Sequence, residues 1–133
     1  MSRPGRRPAA STAQVIQIFG RADDQATRAA LRFFKERRLT PHLVDLGRKP
    51  IALGELRRFV ERLGATALAD TDGRAWKDAG LAYLTMSDDA LAERLLANQR
   101  LLRLPLVRTG NRLAAGKDEA AWRAMAVLAV EVD

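Results

Sequence analysis

The stretch LLANQRLLRLPLVRTGNRLAA, residues 95–115, decides the architecture of the chain. Two short apolar runs, residues 104–108 and 112–115, flank the turn-forming residues Thr109-Gly110-Asn111. Because glycine tolerates the backbone angles of a tight turn, this arrangement predicts a β-hairpin. We therefore expect at least two neighbouring strands near the end of the chain.

The first part of the chain predicts a strand, a helix and a second strand. The β-branched run VIQIF at residues 15–19 and the run at residues 41–46 are the two strands. Between them, Asp23 and Asp24 are expected to open a helix that ends near Arg38, since acids favour the start of a helix and bases its end. The positions of this helix expected to face the core are Ala26, Ala30, Phe33 and Phe34.

The middle and the end of the chain predict further helices. Apolar residues recur at helical spacing over residues 53–63, and Gly64 is a natural stop. Residues 65–85 predict short helical turns, Ser87 predicts the start of another helix, and Asp118 predicts the start of the last one. The residues expected to be buried in these segments are Trp76, Leu81, Leu91, Leu95, Leu96, Trp122, Met125 and Leu128.

The resulting order, β-α-β, three helical segments and β-β-α, predicts a thioredoxin-like α/β fold. Its small mixed four-stranded sheet would have flanking helices and a helical insertion. Several phrases also resemble the arsenate reductase ArsC/Spx family over roughly residues 14–127. They are a strand-loop-helix at residues 18–31, LGEL at residues 53–56, Arg74 with Trp76, AGKDE at residues 115–119, and above all the pattern L-L-x-N-x-x-L-x-x-x-P-aliphatic-V at residues 95–107.

Members of that family carry a reactive cysteine in the first loop and an arginine four residues later. This chain has no cysteine. The resemblance places the cysteine position at Asp24, the second cysteine of the CxxC variant at Thr27, and the arginine at Arg28. It also implies a cis peptide bond between Leu104 and Pro105. The family usually has an arginine before this proline, and this chain has Leu104 there. The positions at which the family site would lie are Asp24, Thr27, Arg28, Arg74, Pro105 and Lys117, which stands in place of a later arginine.

Asp24 itself predicts a structural role. Its side chain is expected to accept a hydrogen bond from the first turn of the helix, because the first N–H groups of a helix have no internal partner. Asp24 and Arg28 are also four residues apart, with the acid first, which favours an ion pair on the helix surface. We therefore predict that the chain has no catalytic residue, since Asp24 occupies the position of the nucleophile.

Composition excludes several other classes. The 133 residues carry a net charge of +7. Three of the positive charges, Arg3, Arg6 and Arg7, belong to residues 1–13, which are predicted to form a flexible basic tail. Residues 14–133 are predicted to form a single domain. Aromatic residues are not interleaved with the arginines, so nucleic-acid binding is not favoured. No apolar stretch is long enough for a membrane span, and a cytoplasmic protein is expected.

His42 is the only histidine and is predicted to lie at an ordinary position in an edge strand. The sequence also contains no metal-ligand spacing and no cofactor motif.

Two functional hypotheses follow. The first is a redox-inactive protein-binding or regulatory module. By resemblance to Spx, its partner would be the C-terminal domain of the RNA polymerase α subunit, and its contact residues Arg57, Arg58 and Arg62. The alternative is an arsenate reductase-like oxidoreductase that borrows a glutathione or glutaredoxin thiol, with Arg28 and Lys117 holding the oxyanion. A dimerising structural protein is a third class, but the sequence shows no extended exposed apolar helix in its favour.

Overall fold

The computed structural model describes residues 15–130, in which the chain forms four strands and six α-helices. The strands are β1 (Ile16–Gly20), β2 (His42–Asp45), β3 (Leu106–Thr109) and β4 (Arg112–Ala115). The helices are α1 (Gln25–Glu36), α2 (Leu53–Leu63), α3 (Ala65–Leu68), α4 (Arg74–Asp78), α5 (Asp88–Ala97) and α6 (Glu119–Val130), and a 3-10 turn, Gln99–Leu101, follows α5. The predicted basic tail, residues 1–13, lies outside the described residues. None of the helices within the described range is long and apolar enough to cross a membrane.

The strands form one mixed sheet in the order β2-β1-β3-β4. β1 runs parallel to β2 and antiparallel to β3, so that Ile18 lies between Leu43 and Val107. β3 and β4 are joined by the two residues Gly110 and Asn111, with a φ of 59° at Gly110. Glycine at the first central position suits a type II′ turn, whose twist matches that of the strands. The predicted hairpin, sheet and element order are therefore confirmed.

Helices cover both faces of the sheet because its strands alternate apolar side chains between the two sides. Ile18 and Val107 pack with residues of α1 and α6, whereas Phe19 and Leu106 pack with residues of α2, α3, α4 and α5. The largest fully buried side chains on the two faces are Trp122, Phe34, Phe59, Leu56, Leu68 and Leu95. The sheet thus separates two cores, and the helical insertion forms one of them.

The predicted helix boundaries are correct for α2 and too wide for α1. α2 covers residues 53–63 as predicted, and the Gly64 N–H closes it by donating to the Val60 carbonyl at 2.8 Å. α1 begins only at Gln25, since Asp24 is the N-cap and Asp23 lies in the preceding turn. At its other end the backbone of Arg38 has a φ of 64°, which is incompatible with a continuing right-handed helix.

Three parts of the predicted core need correction. In α1 the fully buried residue of the first turn is Thr27, while Ala26 and Phe33 are only half-buried. In α5 Leu96 is half-buried, and in α6 the half-buried Leu128 gives way to Ala126, which is buried with Trp122 and Met125. Hydrophobic periodicity misses Thr27 because its side chain is polar.

Helix α2 is also joined to the sheet by a partly buried ion pair. An Nη1 atom of Arg108 on β3 lies 3.1 Å from Oε2 of Glu55, and the two side chains are 23% and 20% exposed. Charge pairs removed from water are costly to break, because the remaining partner is left without compensation. Glu55 and Arg108 therefore fix the position of α2 over β3.

The junction of β1 and α1 depends on the absence of a side chain at Gly20. A Cβ atom on Gly20 would overlap the Oγ1 and Cγ2 atoms of Thr27, which is itself fully buried. Thr27 therefore occupies the space that any larger residue at position 20 would need.

We expect Gly20→Ala to lower the free energy of unfolding by about 1–3 kcal/mol, because overpacking a buried contact forces neighbouring atoms to shift. Gly54→Ala is the matched control, since a Cβ at Gly54 meets nothing within 4 Å. Alanine is the better helix former, so this control should leave stability unchanged or raise it by about 0.5 kcal/mol. Urea denaturation of both variants measures the difference, and equal stabilities would contradict the close approach at Gly20.

Candidate functional site

The candidate site lies where β1 ends and α1 begins. Phe19 pairs with Leu106 across the sheet, so the next step of the same register brings Gly20 opposite Pro105. The Leu104–Pro105 bond is cis, as the resemblance implied. The Pro105 carbonyl accepts a hydrogen bond from the Gly116 N–H at 2.9 Å, which ties the end of β4 to the same region. The first loop, residues 21–24, and Pro105 are therefore neighbours in the fold.

Asp24 caps α1 through one carboxylate oxygen. Its backbone is extended, with φ −83° and ψ 129°, and Oδ2 accepts hydrogen bonds from the Thr27 N–H at 2.8 Å and from the Thr27 hydroxyl at 2.7 Å. Thr27 is the third residue of the helix, where a free N–H meets a capping side chain. The predicted cap is confirmed, and the spacing Asp-x-x-Thr is the sequence signal that could have revealed the role of Thr27.

The predicted ion pair between Asp24 and Arg28 is wrong. The ion pairs among residues 15–130 do not include one between these two side chains. The Asp24 carboxylate is turned inward toward the buried Thr27, whereas Arg28 is exposed and lines a shallow groove on the outer side of α1 with Leu31 and Lys35. Two short bonds to Thr27 hold the carboxylate more firmly than a solvated guanidinium could.

Next to the first loop, the structure forms an open cleft that we name the arginine cleft. Its volume is about 580 Å³, and its charged and amide-bearing lining residues are Arg21, Asp70, Arg74, Asp78, Asn98 and Arg100. Arg21 belongs to the first loop, Arg74 begins α4, and Arg100 lies in the 3-10 turn after α5. Of the predicted site residues only Arg74 is in this lining. Arg21 and Arg100 were not predicted, because residues so distant in sequence give no local signal of proximity.

Lys117 does not join the arginine cleft. It is exposed and lies 4.0 Å from the Glu119 carboxylate at the start of α6. Beside it, Gly116 is covered by the side chain of Arg103, whose Nη2 donates to the Ala69 carbonyl at 3.3 Å. The three predicted basic residues therefore lie apart: Arg28 on the outer side of α1, Arg74 in the arginine cleft, and Lys117 at the start of α6.

The arginines proposed for partner binding are all exposed on α2, but they do not form one patch. Arg57 lines a groove against α5 together with Glu61, Asp89 and Glu93. Arg62 lines a different groove, beside β4, together with Arg112. His42 is exposed at the start of the edge strand β2, as predicted. Within residues 15–130, no three acidic or histidine side chains are grouped as metal ligands would be.

We expect Asp24→Ala to lower the free energy of unfolding by about 1–3 kcal/mol, since it removes the helix cap and leaves the buried Thr27 hydroxyl without its acceptor. Asp24→Asn keeps an acceptor oxygen and should cost less than half as much. Asp23→Ala is the control, because the Asp23 side chain is 89% exposed and should change stability by less than about 0.5 kcal/mol. Chemical denaturation measures all three, and equal effects at positions 23 and 24 would refute the capping role.

Comparison with known proteins places these features in a family. The model of the ArsC family matches residues 19–125. No curated protein sequence is significantly similar to this chain. Among solved structures, the arsenate reductase from Vibrio cholerae is 18% identical, with a TM-score of 0.71 over 84% of this chain and 97% of its own. An arsenate reductase-related protein from Brucella melitensis is 16% identical, with a TM-score of 0.63 over 92% of this chain and 97% of its own.

A third structure, of a protein named YFFB, is 18% identical and has a TM-score of 0.75 over 84% of this chain and 98% of its own. At such low identity these structures show the fold alone, and they confirm the thioredoxin-like architecture. The family model, in contrast, covers most of the chain and includes both the first loop and Pro105, which precedes β3. The chain therefore belongs to the ArsC family, and it is a member that contains no cysteine.

Proposed function

We propose that this chain is a non-catalytic ArsC-family protein that acts by binding another protein. The observation that carries the proposal is the pair of hydrogen bonds that the Asp24 carboxylate accepts from Thr27. They lie at the position where the family resemblance expects the reactive cysteine. A retained fold whose nucleophile position serves as a helix cap supports a binding or regulatory role better than a catalytic one.

A carboxylate cannot replace the thiol in the chemistry of the family. Reduction needs a thiolate that attacks and then forms a mixed disulfide, and Asp24 can form neither bond. Its charge also opposes an oxyanion at the start of α1. At about 4 Å and an effective dielectric of about 20, two like charges repel by about 4 kcal/mol. A helix N-terminus typically contributes no more than about 2 kcal/mol to anion binding, so the repulsion wins.

The arginine cleft favours one alternative, an arsenate reductase-like oxidoreductase that uses an external glutathione or glutaredoxin thiol. Arg21, Arg74 and Arg100 bring three guanidinium groups to the cleft, and Arg21 comes from the same loop as Asp24. Such groups can hold an oxyanion while an external thiol attacks it. Two carboxylates in the same lining, Asp70 and Asp78, offset most of that charge. Binding of a partner therefore has the stronger support.

The resemblance to Spx makes the C-terminal domain of the RNA polymerase α subunit the first partner to test. Arg57 and Arg58 are adjacent and exposed on α2, and Arg62 lies one turn beyond Arg58. Exposed guanidinium groups can form ion pairs with carboxylates of a partner, so that no unpaired charge is buried in the interface.

We expect the purified chain to give no acceleration of arsenate reduction in the presence of glutathione and glutaredoxin, because it supplies no thiol. Asp24→Cys should introduce this activity, since the new thiol stands at the N-terminus of α1. Asp23→Cys is the matched control, with a thiol one residue earlier and exposed, and should remain inactive. Activity of the cysteine-free chain above the uncatalysed rate would refute the proposal and establish the alternative.

We expect the purified polymerase domain to bind the full chain at low salt, with an affinity that falls as salt is added. The double variant Arg57→Glu, Arg58→Glu should weaken this binding at least tenfold, as measured by fluorescence anisotropy. Arg32→Glu serves as the control, because Arg32 is exposed on α1, which covers the opposite face of the sheet from α2. Absence of any association at low salt would exclude this partner.

A further inference from the structure

We propose that the outer edge of β4 accepts an extended, acidic segment of a partner protein as a fifth strand of the sheet. The inference deepens the proposed function and rests on it, since it assumes that the chain acts by binding another protein. It assigns the contact to a surface that neither the arginine cleft nor the α2 pair Arg57 and Arg58 includes. The argument comes from the backbone of β4, the walls beside it and their charge.

The backbone of β4 presents a row of outward-facing groups. β4 is the last strand of the sheet and pairs only with β3 among residues 15–130. In an antiparallel pair, residues alternate between facing the partner strand and facing away from it. Gly116, which follows β4, donates inward to the Pro105 carbonyl. By alternation Ala114 and Arg112 also face β3, and the N–H and C=O groups of Leu113 and Ala115 face outward.

A groove of about 420 Å³ lies along this edge, and it has walls on both faces of the sheet. One wall is the end of α2, with Arg62 and Leu63, and the other is α6, with Ala121 and Met125. Leu113 lies between them. An exposed strand edge in a groove with apolar side chains is the arrangement that proteins use to bind an extended peptide through its main chain. The apolar residues would receive alternate side chains of the added strand.

The charge of the groove identifies the occupant. Arg62 and Arg112 are exposed in its lining, which contains no carboxylate, unlike the linings of the arginine cleft and of the groove between α2 and α5. A second copy of the chain would bring two more arginines against these two. The chain's own first 14 residues contain three arginines and no acid, so they are equally mismatched, and the acidic stretch Glu131-Val132-Asp133 has fewer residues than β4. An acidic segment of another protein is therefore the complementary partner.

The test uses the full-length ¹⁵N-labelled chain and a six-residue peptide of alternating valine and glutamate. We expect the amides of Leu113 and Ala115 to shift on titration and to exchange with solvent at least tenfold more slowly. The amides of residues 21–24 should not respond. A matched peptide with lysine in place of glutamate should bind at least tenfold more weakly. Equal binding of the two peptides would overturn the inference.

Two kinds of variant separate the main-chain contact from the charge. Ala115→Pro removes an outward N–H without touching the β3–β4 ladder, and the double variant Arg62→Glu, Arg112→Glu reverses the charge. Each should weaken binding of the glutamate peptide at least tenfold, the first because it removes a main-chain hydrogen bond and the second because it repels the carboxylates of the peptide. Arg123→Glu is the control on the same helix as Met125; Arg123 is exposed, does not line the groove and should change binding less than twofold. Full binding by the charge-reversed variant would also overturn the inference.

The free chain provides the remaining outcomes. Slow exchange of the Leu113 and Ala115 amides at low concentration, without peptide, would mean that another part of the chain already covers β4. Slow exchange that appears only at high concentration, together with dimers in sedimentation, would identify a second copy as the occupant. Displacement of the peptide by a single-stranded oligonucleotide would point to nucleic acid instead. The result of the arsenate assay does not depend on peptide binding. Failure of strand addition at β4 can therefore be distinguished from failure of the proposed function.

Discussion

The contact between Gly20 and Thr27 determines how the first strand meets the first helix. Thr27 is fully buried against a residue without a side chain, and its hydroxyl and N–H both bind the carboxylate of Asp24. This close approach places the N-terminus of α1 directly above the end of β1. It also aligns α1 with the face of the sheet that buries Phe34 and Trp122, whose ring centroids lie 6.4 Å apart.

The same junction explains why loss of the cysteine is compatible with the fold. A helix N-terminus needs an acceptor for its unpaired N–H groups, and in a catalytic protein an incoming oxyanion can supply it. Asp24 supplies an acceptor permanently, and the Thr27 hydroxyl adds a second donor to it. The cap is therefore part of the chain itself, and it stabilises the start of α1 without a bound ligand.

Sequence patterns predicted the elements that are defined by local chemistry. The helical spacing between residue 53 and Gly64 gave α2 its full length, and the Thr109-Gly110-Asn111 turn predicted the hairpin. The Asp24 cap was also local, because its acceptor and donor are three residues apart. Three features could not be predicted. The burial of Thr27 depends on Gly20, the arginine cleft joins Arg21 to Arg100 across the sequence, and the inward turn of the Asp24 carboxylate excludes the pair with Arg28. The first two depend on contacts that form only when separate elements pack together, and the third follows from the first, because the buried Thr27 hydroxyl binds the carboxylate on its inner side.

The sheet also separates the proposed binding groove from the position at which the family resemblance expects a cysteine. The end of β1 at Gly20 lies opposite the start of β3, whereas Arg112 and Asn111 lie at the hairpin, which is the other end of β3. A strand added beside β4 would be separated from β1 and Asp24 by β3 and β4. The partly buried pair of Glu55 and Arg108 holds α2 over β3 between the two regions, with its charged atoms 3.1 Å apart. This support does not involve Asp24, so the groove beside β4 keeps its shape independently of the residue at position 24.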